Sequence, residues 1–309
     1  MKINKPKFWL DTNFISLLLI PITFLYIFLV YLKNIFTKTH AFPIKVICLG
    51  NIYLGGTGKT PLAIYLAKTL TKMSNKTVII KKYYPGHIDE IQLLKNNYKK
   101  IITNKSRYKA IKIATQKNMD VAVLDDGFQD NSIYKNLNIL CFNSNQLIGN
   151  GMPFPSGPLR ELFGSIKKSQ IIIINGKKNI NFEKKIKKIS KKIKIFYSSY
   201  IPLKIAKYKN KKILAFAGIG NSNNFFNLLV QNNIDVKKKL SFPDHYKYNR
   251  LDIKNITNLA KREKLNIVTT EKDFFRLKNI GYNNFQYIKV KLKIFNEKKF
   301  KLEVNKYLR

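Results

Sequence analysis

Cysteine is almost absent from this chain. The two cysteines, Cys48 and Cys141, lie in apolar runs far apart in the sequence and match no metal-binding spacing. We expect each to be a small buried core residue and not half of a disulfide. The scarcity of cysteine argues against a disulfide-stabilised secreted domain and favours a reducing, cytoplasmic location for most of the chain.

Acidic residues are also scarce. The 309 residues include 17 Asp and Glu against 58 Lys and Arg, which gives a formal net charge of +41. A charge of this size is compatible with a nucleic acid or an anionic membrane as partner. However, nearly all of it comes from lysines spread along the whole chain, and no recognised nucleic-acid-binding module is present. We therefore interpret the charge as solvated lysine-rich faces and expect no nucleic-acid partner.

The N-terminal region contains a long apolar run without charge, Phe14 to Leu32. Its nineteen residues would nearly cross a hydrocarbon layer about 30 Å thick, although Pro21 should bend or break the helix. No small-residue cleavage site follows the run, which argues against a signal peptide, and a buried core helix is the other alternative. We predict a membrane-anchoring helix within residues 1–38 that either spans the bilayer or lies in its interface.

Short apolar runs alternate with helical patterns after this segment, which favours an α/β fold with a parallel sheet covered on both faces. The prediction is a P-loop NTPase-like domain over residues 39–203 and a second, smaller α/β domain over residues 204–309. The runs interpreted as strands begin at residues 45, 77, 100, 121, 139, 171, 212 and 266.

The strongest motif is Gly50 to Pro61, with the sequence GNIYLGGTGKTP, between a predicted strand and a predicted helix. Glycines allow backbone N–H groups to surround phosphate oxygens, and the helix N-terminus adds positive partial charge. Lys59 is expected to reach the β- and γ-phosphates of ATP, and Thr60 to bind Mg²⁺. A plain connecting turn is the weaker alternative, although Tyr53 stands where the strict pattern has glycine. The predicted nucleotide-binding residues are Gly55, Gly56, Thr57, Gly58, Lys59, Thr60 and Pro61.

Two further patterns are interpreted with this loop. Asp125 and Asp126 follow an apolar run, where a P-loop sheet places its Mg²⁺ carboxylate, although Asp-Asp-Gly is also a common turn. A rigid Gly- and Pro-rich loop presents Arg160 and Glu161, and Arg160 is expected either to clamp a phosphate or to pair with Glu161 on the surface. By itself His245 is interpreted as structural, and the segment TTEKD that ends at residue 273 as functional or as a helix cap.

The combination resembles the tetraacyldisaccharide 4'-kinase family of lipid A biosynthesis. The motifs that carry the resemblance are, in order, GNIYLGGTGKTP, DDGFQD, GNGMPFPSGPLRE, AFAGIGNSNNFF, FPDHY and TTEKD, and they extend over almost the whole chain. The resemblance implies transfer of the ATP γ-phosphate to the 4'-hydroxyl of an acylated glucosamine disaccharide 1-phosphate. It also implies Mg²⁺ as cofactor and a location at the cytoplasmic face of the inner membrane.

The resemblance also assigns roles to particular residues. Asp89 is implied as the catalytic base, and His245 as the partner that orients it from the other predicted domain. Lys59 completes the implied catalytic set; Thr60, Asp125 and Asp126 are implied for the metal, and Glu90, Arg160 and Glu161 for the substrate. The sequence departs from the family pattern at 81–84, where Lys-Lys-Tyr-Tyr replaces Ser-Arg-Gly-Tyr, at Ile88, which replaces Gly, and at Asp130, where His is common.

Two other classes of function compete with this one. A membrane-tethered P-loop ATPase switch would need the GGTGKT loop but would leave the GPLRE and FPDH loops unexplained. A nucleic-acid-binding protein would use the charge of +41 and should show a steep salt dependence of DNA binding. ADP production that depends on an acceptor distinguishes the kinase from both.

Overall fold

Strands and helices alternate along most of the chain, as the sequence predicts. The computed structural model describes residues 6–308. The helices are α1 (Phe14–Leu18), α2 (Ile20–Ile35), α3 (Lys59–Lys72), α4 (Ile88–Asn97), α5 (Arg107–Gln116), α6 (Ile180–Ile189), α7 (Ser222–Gln231), α8 (Arg250–Arg262), α9 (Glu271–Lys278) and α10 (Glu297–Asn305). The strands are β1 (Lys45–Gly50), β2 (Thr77–Lys82), β3 (Ile101–Asn104), β4 (Val121–Asp125), β5 (Leu137–Asn143), β6 (Ile171–Asn175), β7 (Lys194–Pro202), β8 (Lys212–Ala217), β9 (Asp235–Ser241), β10 (Asn266–Thr270), β11 (Gln286–Ile288) and β12 (Val290–Ile294).

Eight strands form one sheet in the order β12-β7-β6-β5-β1-β4-β2-β3. Strands β1 to β7 pair in parallel. The near-continuous apolar sequences of β1, β4 and β6 are those of strands covered on both faces, and their residues are almost all buried. Leu49 of β1 is in register with Asp125 of β4, so the segments that follow these two strands begin side by side.

Four strands form a second parallel sheet in the order β11-β10-β8-β9. Apolar residues of α7 and α8, including Phe225 and Ile253, are buried in two clusters with the residues of β8. The α/β class, the parallel P-loop-like sheet and the smaller α/β part are therefore all present.

The chain divides into two compact units. One, called the small unit below, comprises Tyr84–Asn97 and Tyr200–Leu292, and the large unit comprises the remaining described residues. The sequence instead predicts one boundary, between residues 203 and 204. Two features of the structure were not predicted: α4 packs against α9, and α10 returns to the large unit, where the buried ring of Phe300 contacts Phe196.

Both cysteines are buried and free, as expected from their apolar surroundings. Burial raises the pKa of the Cys48 thiol to about 11 and that of the Cys141 thiol to about 12. Both side chains are therefore uncharged members of the core near neutral pH.

The apolar N-terminal run forms two helices instead of the single predicted one. The break lies at Leu19, and Pro21 occupies the first turn of α2, where a missing N–H costs no helical hydrogen bond. None of the helices between residues 6 and 308 is long and apolar enough to cross a bilayer. The predicted membrane helix is therefore not supported as a spanning element.

Polar contacts join these N-terminal helices to the loop that carries Arg160, within the large unit. The hydroxyl of Thr23 donates to Ser156 Oγ at 2.7 Å, and both side chains are buried. The hydroxyl of Tyr26 donates to the carbonyl of Arg160 at 2.9 Å. This N-terminal segment therefore supports the backbone of the loop.

Candidate active site

The loop between β1 and α3 has the backbone of a phosphate-binding loop. Gly55 and Gly58 have φ values of +137° and +92°, which side-chain-bearing residues rarely adopt. Helix α3 begins at Lys59, so the N–H groups of its first turn have no intrahelical partner. Thr57 is buried, and its hydroxyl has no hydrogen-bond partner among residues 6–308. Strand β1, the glycine turn and the N-terminus of α3 thus follow one another as the sequence predicts, and Gly55–Pro61 forms the turn and the first residues of the helix.

Tyr53 explains how the loop departs from the strict pattern. Its side chain is buried in a core cluster together with Leu159, and the two residues form an antiparallel bridge. The N–H of Arg160 donates to the carbonyl of Ile52 at 2.7 Å. The opening of the P-loop is therefore paired with the Gly- and Pro-rich loop, and an aromatic residue fills the space behind it.

Asp125 is the most deeply buried acid of this region, with no exposed surface. Its Oδ2 accepts hydrogen bonds from Thr60 Oγ1 at 3.0 Å and from Lys81 Nζ at 2.9 Å. Its Oδ1 is buried and has no hydrogen-bond partner in the described part of the chain. Thr60 and Asp125, both predicted as metal ligands, are thus in contact, and one carboxylate oxygen of Asp125 is free to bind a cation.

Asp126 is surrounded by positive charge. Its Oδ1 lies 3.5 Å from Lys59 Nζ and 3.2 Å from Arg160 Nη1. Burial alone would raise the pKa of this carboxyl, but the charges of Lys59, Arg160 and Lys81 lower it to about 2. Asp126 itself has φ +64°, a conformation uncommon outside glycine. Asp126 therefore carries a negative charge beside the P-loop lysine.

Arg160 and Glu161 have different surroundings. Besides Asp126, Arg160 Nη1 reaches Gln129 Oε1 at 3.3 Å, so the alternative of a surface pair between Arg160 and Glu161 is wrong. Glu161 Oε2 lies 3.8 Å from Lys168 Nζ. The structure thus brings Arg160 to Asp126, whereas Glu161 pairs with Lys168 and its substrate role stays a prediction.

Sequence reasoning missed two cations of this region. Lys81 is almost fully buried on Asp125, although the sequence analysis recorded it only as a departure from a family motif. Arg107, the first residue of α5, pairs with Asp130 at 3.0 Å and donates to the carbonyl of Asp126. Both were hidden by the general excess of basic residues, and only the position of Lys81 at the end of an apolar strand distinguished it.

In the small unit, Asp89 lies in the first turn of α4 and is 4% exposed. Arg276 of α9 donates from Nε to Asp89 Oδ2 at 2.8 Å, and its Nη2 lies 2.7 Å from the same oxygen. The Nη1 of Arg276 lies 2.7 Å from Asp273 Oδ1 and also donates to the carbonyl of Gly218. Oδ1 of Asp89 is buried and lacks a hydrogen-bond partner within residues 6–308. One oxygen of Asp89 is therefore fixed while the other is free to accept a proton.

Asp273 fixes Arg276, which in turn pairs with Asp89. It has no exposed surface, and it accepts hydrogen bonds from Gly218 N at 3.0 Å, Thr270 Oγ1 at 2.7 Å and Tyr248 Oη at 3.1 Å. Thr270 is also the N-cap of α9. The TTEKD segment is therefore both a helix cap and the support of Asp89, where the sequence left these as alternatives.

Glu90 and Lys272 form a second polar group beside Asp89. Lys272 Nζ lies 2.9 Å from Glu90 Oε1, 3.9 Å from Asp89 Oδ2 and 3.9 Å from Asp244 Oδ1. His87, Glu90 and His245 each offer one ligand atom of the kind that binds metals, all within 4.8 Å of one another. The ammonium of Lys272 already supplies a positive charge to this group.

His245 lies next to Asp89, but the two side chains are not hydrogen-bonded. His245 Nδ1 is 3.9 Å from Asp89 Oδ2, and the His245 ring stacks on His87 with ring centroids 4.5 Å apart. The prediction placed Asp89 and His245 in different domains, and this is wrong because α4 packs against α9 within the small unit. The juxtaposition itself was predicted, and it is present.

The chain is similar to known proteins along almost its whole length. A sequence model of the family described as LpxK, tetraacyldisaccharide-1-P 4'-kinase, matches residues 15–309. The tetraacyldisaccharide 4'-kinase of Pelagibacter ubique is 40% identical over 303 residues, covering 96% of each chain. That of Rickettsia akari is 32% identical over 326 residues, covering 97% of this chain and 98% of the relative.

A solved structure has the same fold. The crystal structure of LpxK from Aquifex aeolicus in complex with ATP superposes with a TM-score of 0.71 at 24% identity, covering 96% of this chain and 100% of that chain. At this identity the likeness supports the fold alone.

Proposed function

This chain belongs to the tetraacyldisaccharide-1-P 4'-kinase family, and we propose that it transfers the γ-phosphate of ATP to the 4'-hydroxyl of an acylated glucosamine disaccharide 1-phosphate in lipid A biosynthesis. The observation that carries the proposal is the P-loop itself, in which Lys59 and Thr60 begin α3 beside the two acids at the C-terminal end of β4. A phosphoryl donor and a separately held proton acceptor are what a kinase needs.

The large unit binds the nucleotide in this proposal. Backbone N–H groups from Gly55 to Thr60 hold the phosphates, and the ammonium of Lys59 balances charge on the β- and γ-phosphates. Arg160, which lies on Asp126, is the second cation of this group. Its planar guanidinium suits a phosphate that carries several oxygens.

The oxygen atoms beside Lys59 fit Mg²⁺. Thr60, Asp125 and Asp126 offer a hydroxyl and carboxylates, which are the hard ligands that Mg²⁺ prefers. Oδ1 of Asp125 is buried without a hydrogen-bond partner in the described residues, as expected of an oxygen that binds a cation. When bound there, Mg²⁺ would neutralise charge on the transferred phosphate.

The small unit supplies the base. Oδ1 of Asp89 accepts the proton of the acceptor hydroxyl, the freed oxygen forms a bond to the γ-phosphorus, and the bond from that phosphorus to the bridging oxygen of ADP breaks. Arg276 keeps Oδ2 of Asp89 occupied, which leaves Oδ1 as the oxygen that takes the proton. Glu90 and Glu161 are the proposed contacts to the polar part of the acceptor.

We assign the protein to the cytoplasmic face of the inner membrane, where a lipid acceptor resides. The supporting observation is α2, on which Phe24, Leu25 and Phe28 are 68%, 58% and 55% exposed. An apolar helix with its side chains outward suits the interface between headgroups and acyl chains. We propose that α1 and α2 lie in this interface.

Substitution tests the attachment better than deletion, because deletion would also remove the support that Thr23 and Tyr26 give to the loop of Arg160. Phe24→Ser with Phe28→Ser should lower co-sedimentation with vesicles of phosphatidylglycerol and phosphatidylcholine. The matched control replaces Leu251 and Leu302, which are 64% and 68% exposed on other helices. Equal loss in both variants, or none in the first, would contradict attachment through α2.

The activity is tested with γ-labelled ATP and a bacterial lipid extract. Label should enter a glycolipid with the wild-type chain and not with Lys59→Ala. Release of labelled phosphate at the same rate with and without lipid would favour an ATPase switch instead. This outcome would reject the proposed acceptor but not the P-loop.

A further inference from the structure

His245 has two ring nitrogens in different surroundings. Nε2 lies within hydrogen-bond distance of Lys272 Nζ, at 3.4 Å, and farther from the carboxylates of Glu90 and Asp244, at 3.7 and 3.9 Å. Nδ1 is buried, has no hydrogen-bond partner in residues 6–308, and lies 3.9 Å from Asp89 Oδ2. An ammonium carries three N–H donors and no acceptor. The nitrogen that faces Lys272 must therefore present a lone pair.

Lys272 is held firmly enough to impose this choice. Its side chain is 17% exposed, and its Nζ lies 2.9 Å from Glu90 Oε1 and 3.9 Å from Asp244 Oδ1. Lys272 also lies one helical turn before Arg276 on α9, so both cations face α4 from one side of the helix.

The charges around the ring keep it neutral. Burial comes first and the charge of Lys272 second in lowering the pKa of His245, and Arg276 adds to them; Asp244 and Glu90 oppose, and the result is about 4. Asp89 and His87 also face the ring, at 3.9 Å and in a stacked contact. A neutral imidazole carries one N–H, so one nitrogen donates and the other accepts.

Both ends of the ring select the same tautomer. With the proton on Nδ1, the N–H faces the carboxylate of Asp89 and the lone pair of Nε2 faces the ammonium of Lys272. The opposite tautomer would place a lone pair toward the carboxylate of Asp89 and an N–H toward the ammonium of Lys272, and both contacts would be repulsive. The carboxylates of Glu90 and Asp244 lie farther from Nε2 than this ammonium, at 3.7 and 3.9 Å, beyond hydrogen-bond distance. The hydrogen bond at one nitrogen thereby decides the protonation of the other.

We propose that Lys272 is a positioning residue, which fixes His245 in the tautomer that carries its proton on Nδ1 and so presents a neutral N–H donor to Asp89. This inference rests on the proposed role of Asp89 as base. A neutral donor orients the carboxylate without adding a full positive charge, which would weaken it as a proton acceptor. In this proposal Arg276 holds Asp89, and Lys272 holds His245, which faces Asp89.

The direct test is ¹⁵N NMR of the full chain labelled at histidine, at pH 7.5, with the His245 signals assigned from a His245→Asn variant. The expected spectrum shows a protonated Nδ1 and an unprotonated Nε2 for His245. Protonation at Nε2, or at both nitrogens, would overturn the proposal. The NMR measurement is made on the chain with Lys272 in place, so it tests the proposal even if the Lys272 variants fold poorly.

Kinetics test whether the tautomer matters for transfer. Lys272→Met should lower kcat roughly 10- to 100-fold, a part of what general-base catalysis contributes, with little change in KM for ATP. It should also shift the His245 signals toward the other tautomer and introduce an acid limb between pH 4 and 6.5 in the kcat profile. Lys272→Arg keeps a donor and should recover most of the loss.

A double variant separates positioning from a purely structural role. In a His245→Asn background, Lys272→Met should cause little further loss of kcat, because its effect acts through the imidazole. A full independent loss would contradict the proposal. If Asp89→Asn keeps normal activity, the assigned base is wrong, whereas the NMR result still decides the tautomer by itself.

Discussion

Replacing Asp89 by Asn removes the negative charge and the capacity to accept a proton, while the shape of the side chain stays nearly the same. General-base catalysis typically contributes about 10²- to 10⁴-fold to a rate, so kcat should fall by about that factor. The affinity for ATP should change little, because Asp89 is not among the residues proposed to bind the nucleotide.

The expected effect on stability follows from Arg276. Breaking a buried ion pair costs about 3–5 kcal/mol when one charge is left alone. Arg276 is not left alone, since it keeps Asp273 at 2.7 Å and the carbonyl of Gly218, and the amide oxygen of Asn can still accept from its Nε. The free energy of unfolding should therefore fall by only about 1–2 kcal/mol, the cost of exchanging a charged hydrogen bond for a neutral one.

The assay measures kcat and KM for ATP by acceptor-dependent ADP release, and unfolding by urea titration, on three proteins. Asp89→Asn is compared with the wild type and with Asp235→Asn, which makes the same change at a half-exposed position of the small unit. Loss of kcat confined to Asp89→Asn supports the base. A variant that loses several kcal/mol of stability but keeps its kcat would show that Asp89 is only structural.

The double variant of Asp89→Asn with His245→Ala adds a second criterion. If the two residues act as a unit, the double variant should lose much less kcat than the product of the two single losses. Independent, multiplicative losses would refute the pairing while leaving the kinase assignment intact.

Three further predictions follow from the same contacts. Lys59→Ala and Thr60→Ala should nearly abolish turnover without unfolding, checked by kcat and circular dichroism, because both side chains serve phosphates and metal at the mouth of the sheet; near-normal turnover would exclude the P-loop assignment. Lys81→Met should cost about 3–5 kcal/mol of unfolding free energy in a urea titration, since it leaves the buried Asp125 carboxylate without its cation; an unchanged midpoint would mean that Thr60 and neighbouring charges suffice. Because the pKa of His245 is about 4 in the fold against an ordinary value of 6.5, the unfolded chain binds more protons between these values, so stability is full above pH 6.5 and falls as pH drops toward 4; a His245→Gln variant should lack this component, and identical pH curves would contradict it.

The P-loop and the fold class were predictable from local sequence. Strand, glycine turn and helix follow one another within residues 45–72, and each has its own sequence pattern. The acids at the C-terminal end of β4 were predictable for the same reason, since the parallel register of β1 and β4 places the ends of neighbouring strands together.

The surroundings of Asp89 were not predictable in this way. Arg276 is 187 residues away in sequence from Asp89, and only the packing of α4 on α9 brings them together. The strands of the small unit were also harder to see: β9 contains three consecutive lysines and is mostly exposed, so it lacks the alternation that identifies a half-buried strand. The predicted domain boundary differs from the observed units for a related reason. Residues 84–97 leave the large unit for the small one, and the residues after Leu292 return to the large unit.

The acidic residues carry more information than the basic ones in this chain. A chain with 58 basic residues offers a cation near almost any position, so a lysine on the surface indicates little. The buried acidic residues in the described part of the chain are Asp89, Asp125, Glu271, Asp273 and Glu303. Burial of a carboxylate is costly unless a cation or several hydrogen bonds compensate it, so each of these positions needs specific partners in the fold. The first two lie at the proposed base and the proposed metal site.

The same criterion then identifies the basic residues that matter. Lys81 and Arg276 are the largely buried cations that contact Asp125 and Asp89, and Lys272 is the cation that Glu90 holds beside His245. Neither charge composition nor motif spacing distinguished these three residues from the other basic residues. Their partners did, because an acid that is scarce and buried selects its cation. In a chain with 58 basic and 17 acidic residues, the largely buried acid partner is therefore the feature that distinguishes Lys81, Arg276 and Lys272 from the other basic residues.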